Sequence, residues 1–145
     1  MYKHILIPTD GSDLSSMAVR QGVLLARSID ARVTIITVSP TFRMLSADPF
    51  MATATPETYR RESVAEAMRY LAAGAAAAKE GGVPCETVHV ERDHPYEAII
   101  DTAAERGCDL ILMASHGRKG MAALVLGSET TKVLTHSKIP VLVCR

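Results

Sequence analysis

Two periods of apolar and polar positions alternate along this chain. Residues 5–8 are a short apolar run closed by proline, the pattern of a buried strand. Met17, Leu24, Leu25 and Ile29 recur at helical spacing and predict a helix over residues 14–28 with one apolar face, capped by Ser12 or Asp13. The β-branched stretch Arg32-Val33-Thr34-Ile35-Ile36-Thr37-Val38 predicts a second strand. Residues 57–80 are strongly helical, with an Ala-rich centre around Gly74, and Gly81-Gly82 stops them. Residues 85–90 alternate as a third strand. Pro95 opens a helix to residue 106, with Gly107 as its C-cap. Residues 109–113 read as a central buried strand, 128–136 as a helix and 140–144 as the last strand. Residues 40–56 hold three prolines and no period, and read as a mobile excursion on the chain.

The order is therefore β-α-β-α-β-α-β-α-β over residues 1–145, with no repeat and no linker, which predicts one α/β domain. Right-handed crossovers make such a sheet parallel and place helices on both faces. Ligands in such folds bind beyond the carboxyl ends of the strands, where the strand order reverses. The loops after the first and fourth strands are the places to look.

Composition narrows the function. Hydrophobic residues are 48% of the chain, enough for a core, and the 16 basic and 16 acidic side chains cancel. That balance gives no electrostatic basis for binding nucleic acid or a membrane surface. With two Phe, four Tyr and no Trp, no stacking platform for single strands is visible. No run approaches the ~18 apolar residues that cross a bilayer. The apolar start at residues 5–8 is too short for a signal-peptide core, so the expected location is the cytoplasm. Cys85, Cys108 and Cys144 lack metal spacing and read as reduced, mostly buried thiols.

The fourth loop carries the candidate chemistry. It runs Met113-Ala114-Ser115-His116-Gly117-Arg118-Lys119-Gly120 and, after residues 121–126, Gly127-Ser128-Glu129-Thr130-Thr131. Glycines at 117, 120 and 127 let backbone N–H groups approach a polyanion, and Gly127-Ser128 stands at a helix start that favours negative charge. Ser128 and Thr130 add hydroxyls, Arg118 and Lys119 positive charge. Turn glycines alone would look the same. Neither the P-loop string nor the dinucleotide fingerprint is present. Asp10, after the first strand, suits a helix cap as well as a ligand contact. His116 has no nucleophile or second carboxylate beside it in the motif, so it reads as a loop-ordering residue and no catalytic residue is assigned. Asp93-His94-Pro95 reads as a turn into a helix.

Five separated segments together resemble the universal stress protein family: Ile5-Leu6-Ile7-Pro8-Thr9-Asp10-Gly11-Ser12, Asp109-Leu110-Ile111-Leu112-Met113, Ser115-His116-Gly117-Arg118, Leu126-Gly127-Ser128 and Pro140-Val141-Leu142-Val143. The resemblance covers essentially the whole chain. It implies a five-stranded sheet of order 3-2-1-4-5 and a site for ATP. ATP-binding members carry Gly, two residues, Gly, nine residues, then Gly and Ser or Thr. Here Ala114 replaces the first glycine, while Gly117 and Gly127-Ser128 are intact. The methyl group of Ala114 either crowds the ribose or is harmless if φ there is negative.

The resemblance places Asp10 and the backbone of Thr9 and Val38 on the adenine. It places the backbone of Met113, Ala114 and Ser115 on base and ribose, and Gly117, Gly127, Ser128 and the N–H of Glu129 on the phosphates. Pro8, His116 and Arg118 complete the implied cofactor-binding set. Magnesium would screen the phosphates without protein ligands of its own. The resemblance also implies a homodimer paired through residues 140–144. The expected role is an ATP-dependent stress-response or signalling module. Slow ATP hydrolysis, or an interaction module of the same fold without nucleotide, are the alternatives.

Overall fold

A computed structural model describes residues 1–42, 55–118 and 125–145. Most of the 40–56 excursion, Lys119, Gly120 and residues 121–124 lie outside the described residues. The elements run β1 (His4–Pro8), α1 (Asp13–Ser28), β2 (Arg32–Ser39), α2 (Pro56–Glu80), β3 (Cys85–Glu91), α3 (Pro95–Glu105), β4 (Leu110–Ala114), α4 (Ser128–His136) and β5 (Val141–Cys144). All strands pair in parallel, in the order β3-β2-β1-β4-β5.

Side-chain alternation along the central strands divides the core in two. Ile5, Ile7, Val33, Ile35, Leu110 and Leu112 pack beneath α1 and α2. Leu6, Ile36, Ile111 and Met113 pack beneath α3 and α4, against Ile99, Ala103 and Val133. Near-continuous apolar runs in β1, β2 and β4 follow from burial on both faces.

The helices begin and end on local chemistry. Ser12, rather than Asp13, caps α1 by accepting from the Ser15 N–H at 3.2 Å. Thr55 caps α2, ahead of Pro56 in its first turn. Helix α3 stops at Glu105, one residue earlier than the periodicity predicts. Arg106 is its C-cap, and Gly107 follows in left-handed backbone at φ 68°.

The apolar face of α1 is only partly the expected one: Leu25 and Ile29 are half-buried and pack against the core, but they flank the buried stripe rather than form it. Its buried residues are Ser15, Ala18, Val19, Gly22, Val23 and Ala26, whereas Leu24 is 65% exposed. Small side chains bring the helix close to the sheet: a Cβ on Gly22 would lie 2.4 Å from Ile7 Cδ1. Bulk marked only the edge of the stripe, because small side chains and close approach seat this helix.

All three cysteines are free thiols, with Cys108 and Cys144 buried and Cys85 half-buried. Burial pushes the Cys108 thiol up to about 11, so it stays protonated at neutral pH. Among the described residues no helix is long and apolar enough to cross a membrane.

Candidate functional site

The sheet reverses its order between β1 and β4, and the loops leaving these strands meet there. Thr9 anchors the first loop. Its N–H donates to the Ile36 carbonyl at 2.8 Å, and its own carbonyl accepts from the Thr37 hydroxyl at 2.9 Å. Its hydroxyl pairs with Ser15 Oγ at 3.1 Å and accepts from the Gly11 N–H at 3.2 Å. Gly11 turns the chain at φ 78°, which a side chain would strain.

Asp10 is thereby aimed across the crevice. Its Oδ1 accepts from the Ser12 N–H at 3.0 Å, and its Oδ2 accepts from the Arg118 N–H at 2.9 Å. With Ser12 capping α1, Asp10 joins the two loops. Burial alone would raise its carboxyl, but hydrogen bonds from Ser12, the Arg118 N–H and Ser15 outweigh that and hold it below the ordinary range. It is therefore an anionic acceptor at neutral pH.

The second loop is held from three sides. The Ser115 N–H donates to the Cys144 carbonyl at 2.7 Å, and the Ser115 carbonyl accepts from the Gly127 N–H at 2.7 Å. Thr130 Oγ1 donates to the Ala114 carbonyl at 2.9 Å. Two glycines stand at close approaches, Gly117 with no room for a side chain and Gly127 with little. A Cβ on Gly117 would sit 2.2 Å from Asp10 Oδ2, and one on Gly127 would sit 3.0 Å from His116 Cα. Ala114 closes β4 in strand backbone, paired with Cys144, and its methyl is buried in the cluster beneath α1. The backbone objection to alanine there is removed, since only a positive φ demands glycine.

Helix α4 starts at Gly127 with no side-chain cap, so its first-turn N–H groups and exposed Ser128 face the loop region with the positive end of the dipole. Glu129 turns its side chain away to accept from the Tyr96 N–H at 2.9 Å, capping α3, and meets Lys132 at 3.3 Å. Its side chain is thereby engaged at α3 and Lys132 and not in the loop. His116 Nδ1 pairs with Ser115 Oγ at 3.2 Å, a loop-ordering contact.

The predicted residues thus gather at one edge: Pro8 at the end of β1 with Thr9 and Asp10 after it, Val38 near the end of β2, Met113, Ala114 and Ser115 at β4, and Gly127, Ser128 and Glu129 at α4. Met113 is buried under α3 and α4, which leaves its backbone as the available part. Two residues were missed. Glu66 and Tyr70 of α2 receive the Arg118 guanidinium, at 3.2 Å from Glu66 Oε1 and on the Tyr70 hydroxyl. Their one-turn spacing was readable, but their partner lies about fifty residues away. Among the described residues no three His, Cys, Asp or Glu side chains converge on a metal position.

The universal stress protein family model matches residues 1–145. The chain belongs to the universal stress protein family. Universal stress protein YxiE of Bacillus subtilis is 31% identical over 149 residues, covering all of both chains. The solved structure of MJ0577, a universal stress protein of Methanocaldococcus jannaschii, is 27% identical with a TM-score of 0.83, over 99% of this chain and 95% of that one. A universal stress protein crystallised in complex with cAMP is 26% identical, with a TM-score of 0.73 over 99% of this chain and 97% of its own.

Proposed function

We propose that this universal stress protein binds ATP at the β1–β4 crevice and works in the cytoplasm as a nucleotide-dependent stress-response or signalling module. The observation that carries the reading is the meeting of Asp10 with the glycine loop beside an uncapped helix. Asp10 supplies a fixed acceptor that suits an exocyclic amine of the adenine kind. Ser128, Glu129 and Thr130 open α4 with first-turn N–H groups that have no helix partner, and the Ser128 hydroxyl stands beside them, which suits phosphate. The relative that holds cAMP supports an adenine nucleotide as the ligand class. Magnesium accompanies the phosphates, which supply its oxygens. The working unit is a homodimer joined through β5.

Mass spectrometry of small molecules released from the purified, denatured protein gives the first test, with ATP or AMP as the expected finding. Calorimetric titration gives the second. In Gly127→Val the side chain enters the space beside His116 and blocks the approach to the α4 N-terminus. ATP affinity is expected to fall by about tenfold or more, the loss of one charge-assisted hydrogen bond or so. Equal affinity in wild type and a folded variant, or no binding by the wild type, overturns the reading.

A further inference from the structure

Arg118 is engaged in two directions at once. Its N–H ties the β4 loop to Asp10. Its guanidinium leaves that loop for α2, where Nη1 meets Glu66 Oε1 at 3.2 Å and Nη2 donates to the Tyr70 hydroxyl. The Tyr70 hydroxyl donates onward to Glu66 Oε1, and the guanidinium carbon stands 5.0 Å from the centre of the Tyr70 ring. That ring lies on the first loop, because a Cβ on Gly11 would fall 2.2 Å from Tyr70 Cε1. Helix α2 therefore grips both loops of the candidate site.

We infer that Glu66 and Tyr70 are positioning residues that hold the Arg118 guanidinium away from the phosphates, and so set how strongly the site prefers anionic nucleotides to the uncharged nucleoside. The inference rests on the adenine-nucleotide reading above. Asp10 and Glu66 bring two negative charges to the mouth of the crevice, and Arg118 meets both, the first through its N–H and the second through its guanidinium. While the guanidinium is paired with Glu66 it contributes little attraction to a phosphate. A phosphate offers it a two-pronged acceptor that matches its planar fork. The clasp is weak enough to yield: the Arg118 and Glu66 side chains are 53% and 42% exposed, and exposed ion pairs of this kind are readily displaced. Binding of a phosphorylated ligand then exchanges Glu66 for phosphate and loosens α2 from the loops.

The test is calorimetric titration with ATP and with adenosine at fixed ionic strength. Glu66→Gln keeps the shape and removes the charge. It is expected to tighten ATP by about fivefold, equivalent to about 1 kcal/mol at 1.4 kcal/mol per tenfold, and to leave adenosine unchanged. Tyr70→Phe removes only the hydroxyl and moves ATP the same way. In an Arg118→Ala background Glu66→Gln no longer tightens ATP, since there is no guanidinium to release. Glu66→Asp, which restores a carboxylate, returns the affinity toward wild type. No change in Glu66→Gln, an equal change for adenosine, or a gain that persists without Arg118 overturns the clasp and leaves the nucleotide reading standing. If neither wild type nor Glu66→Gln binds ATP, the nucleotide reading itself fails and the clasp with it.

Discussion

His4 sits in β1 with 3% of its surface exposed and its Nε2 2.7 Å from Thr34 Oγ1. Nδ1 has no well-made hydrogen bond among the described residues. Burial first, and the positive charge of Arg32 second, lower its pKa from the ordinary 6.5. Glu86, the Arg106 carbonyl and Asp109 pull the other way and lose. The folded protein therefore disfavours a proton that the unfolded chain accepts. Stability from this residue is complete above pH 6.5 and is lost as the pH falls below it, toward the lowered folded value. Asp10 and Asp109, both held low, lose their contributions below the ordinary 3.8, so the loss from His4 sets in at the higher pH. Urea denaturation between pH 5 and pH 7.5 is expected to show wild type weakening on the acid side more steeply than His4→Gln. Parallel curves would remove His4 from the account. The sequence shows a histidine entering a strand but not that it is sealed, because the apolar count of β1 reads the same either way. Asp10, Gly117 and Gly127 stood out by residue type, but what surrounds them is long-range and was not readable: Gly117 abuts Asp10 across the crevice and Gly127 abuts His116.

At the scale of the element, starts and stops were written in the chain more fully than faces were. Ser12 marks a start through its hydroxyl, Pro95 and Gly107 mark ends through their backbone needs, and the boundaries fell within a residue or so. The seating of α1 depends on what it meets, and Gly22 over Ile7 cannot be read from helical spacing. This yields a comparison of two adjacent residues. Val23 is 4% exposed and Leu24 65% exposed. Val23→Ala is expected to cost about 2 kcal/mol, the burial of one branched side chain, while Leu24→Ala costs less than about 0.5 kcal/mol. Thermal or urea unfolding of the two variants checks it, and the reverse order would restore the face predicted from bulk. The grip of α2 on Arg118 was likewise hidden, since it joins a helix to a loop some fifty residues on.

For the whole molecule, β5 ends the strand order with no further strand beside it among the described residues, and that edge is where we expect a second copy. Along β5, Leu142 is 44% exposed, and α4, packed beside it, shows Leu134 at 42%. An apolar edge with free N–H groups invites pairing. Which N–H groups are free follows from the ladder to β4. The Ile111 N–H donates to the Pro140 carbonyl, and the Ser115 N–H donates to the Cys144 carbonyl. In a parallel ladder each strand bonds its neighbour through alternate residues, so the even-numbered residues of β5 turn their backbone to β4. The N–H groups of Val141 and Val143 therefore point outward. Two copies pairing antiparallel about a two-fold axis would exchange bonds through these residues. Proline removes one donor without charge. Val143→Pro is thus expected to keep the fold and weaken the dimer by about tenfold or more, since symmetry removes the bond twice. Leu142→Pro breaks the inner ladder instead and is expected to lower the melting temperature. Light scattering across a dilution series measures the first effect and circular dichroism the second. A wild type that stays monomeric at tens of micromolar refutes the dimer, and a folded Val143→Pro that dimerises as well as wild type moves the interface off β5.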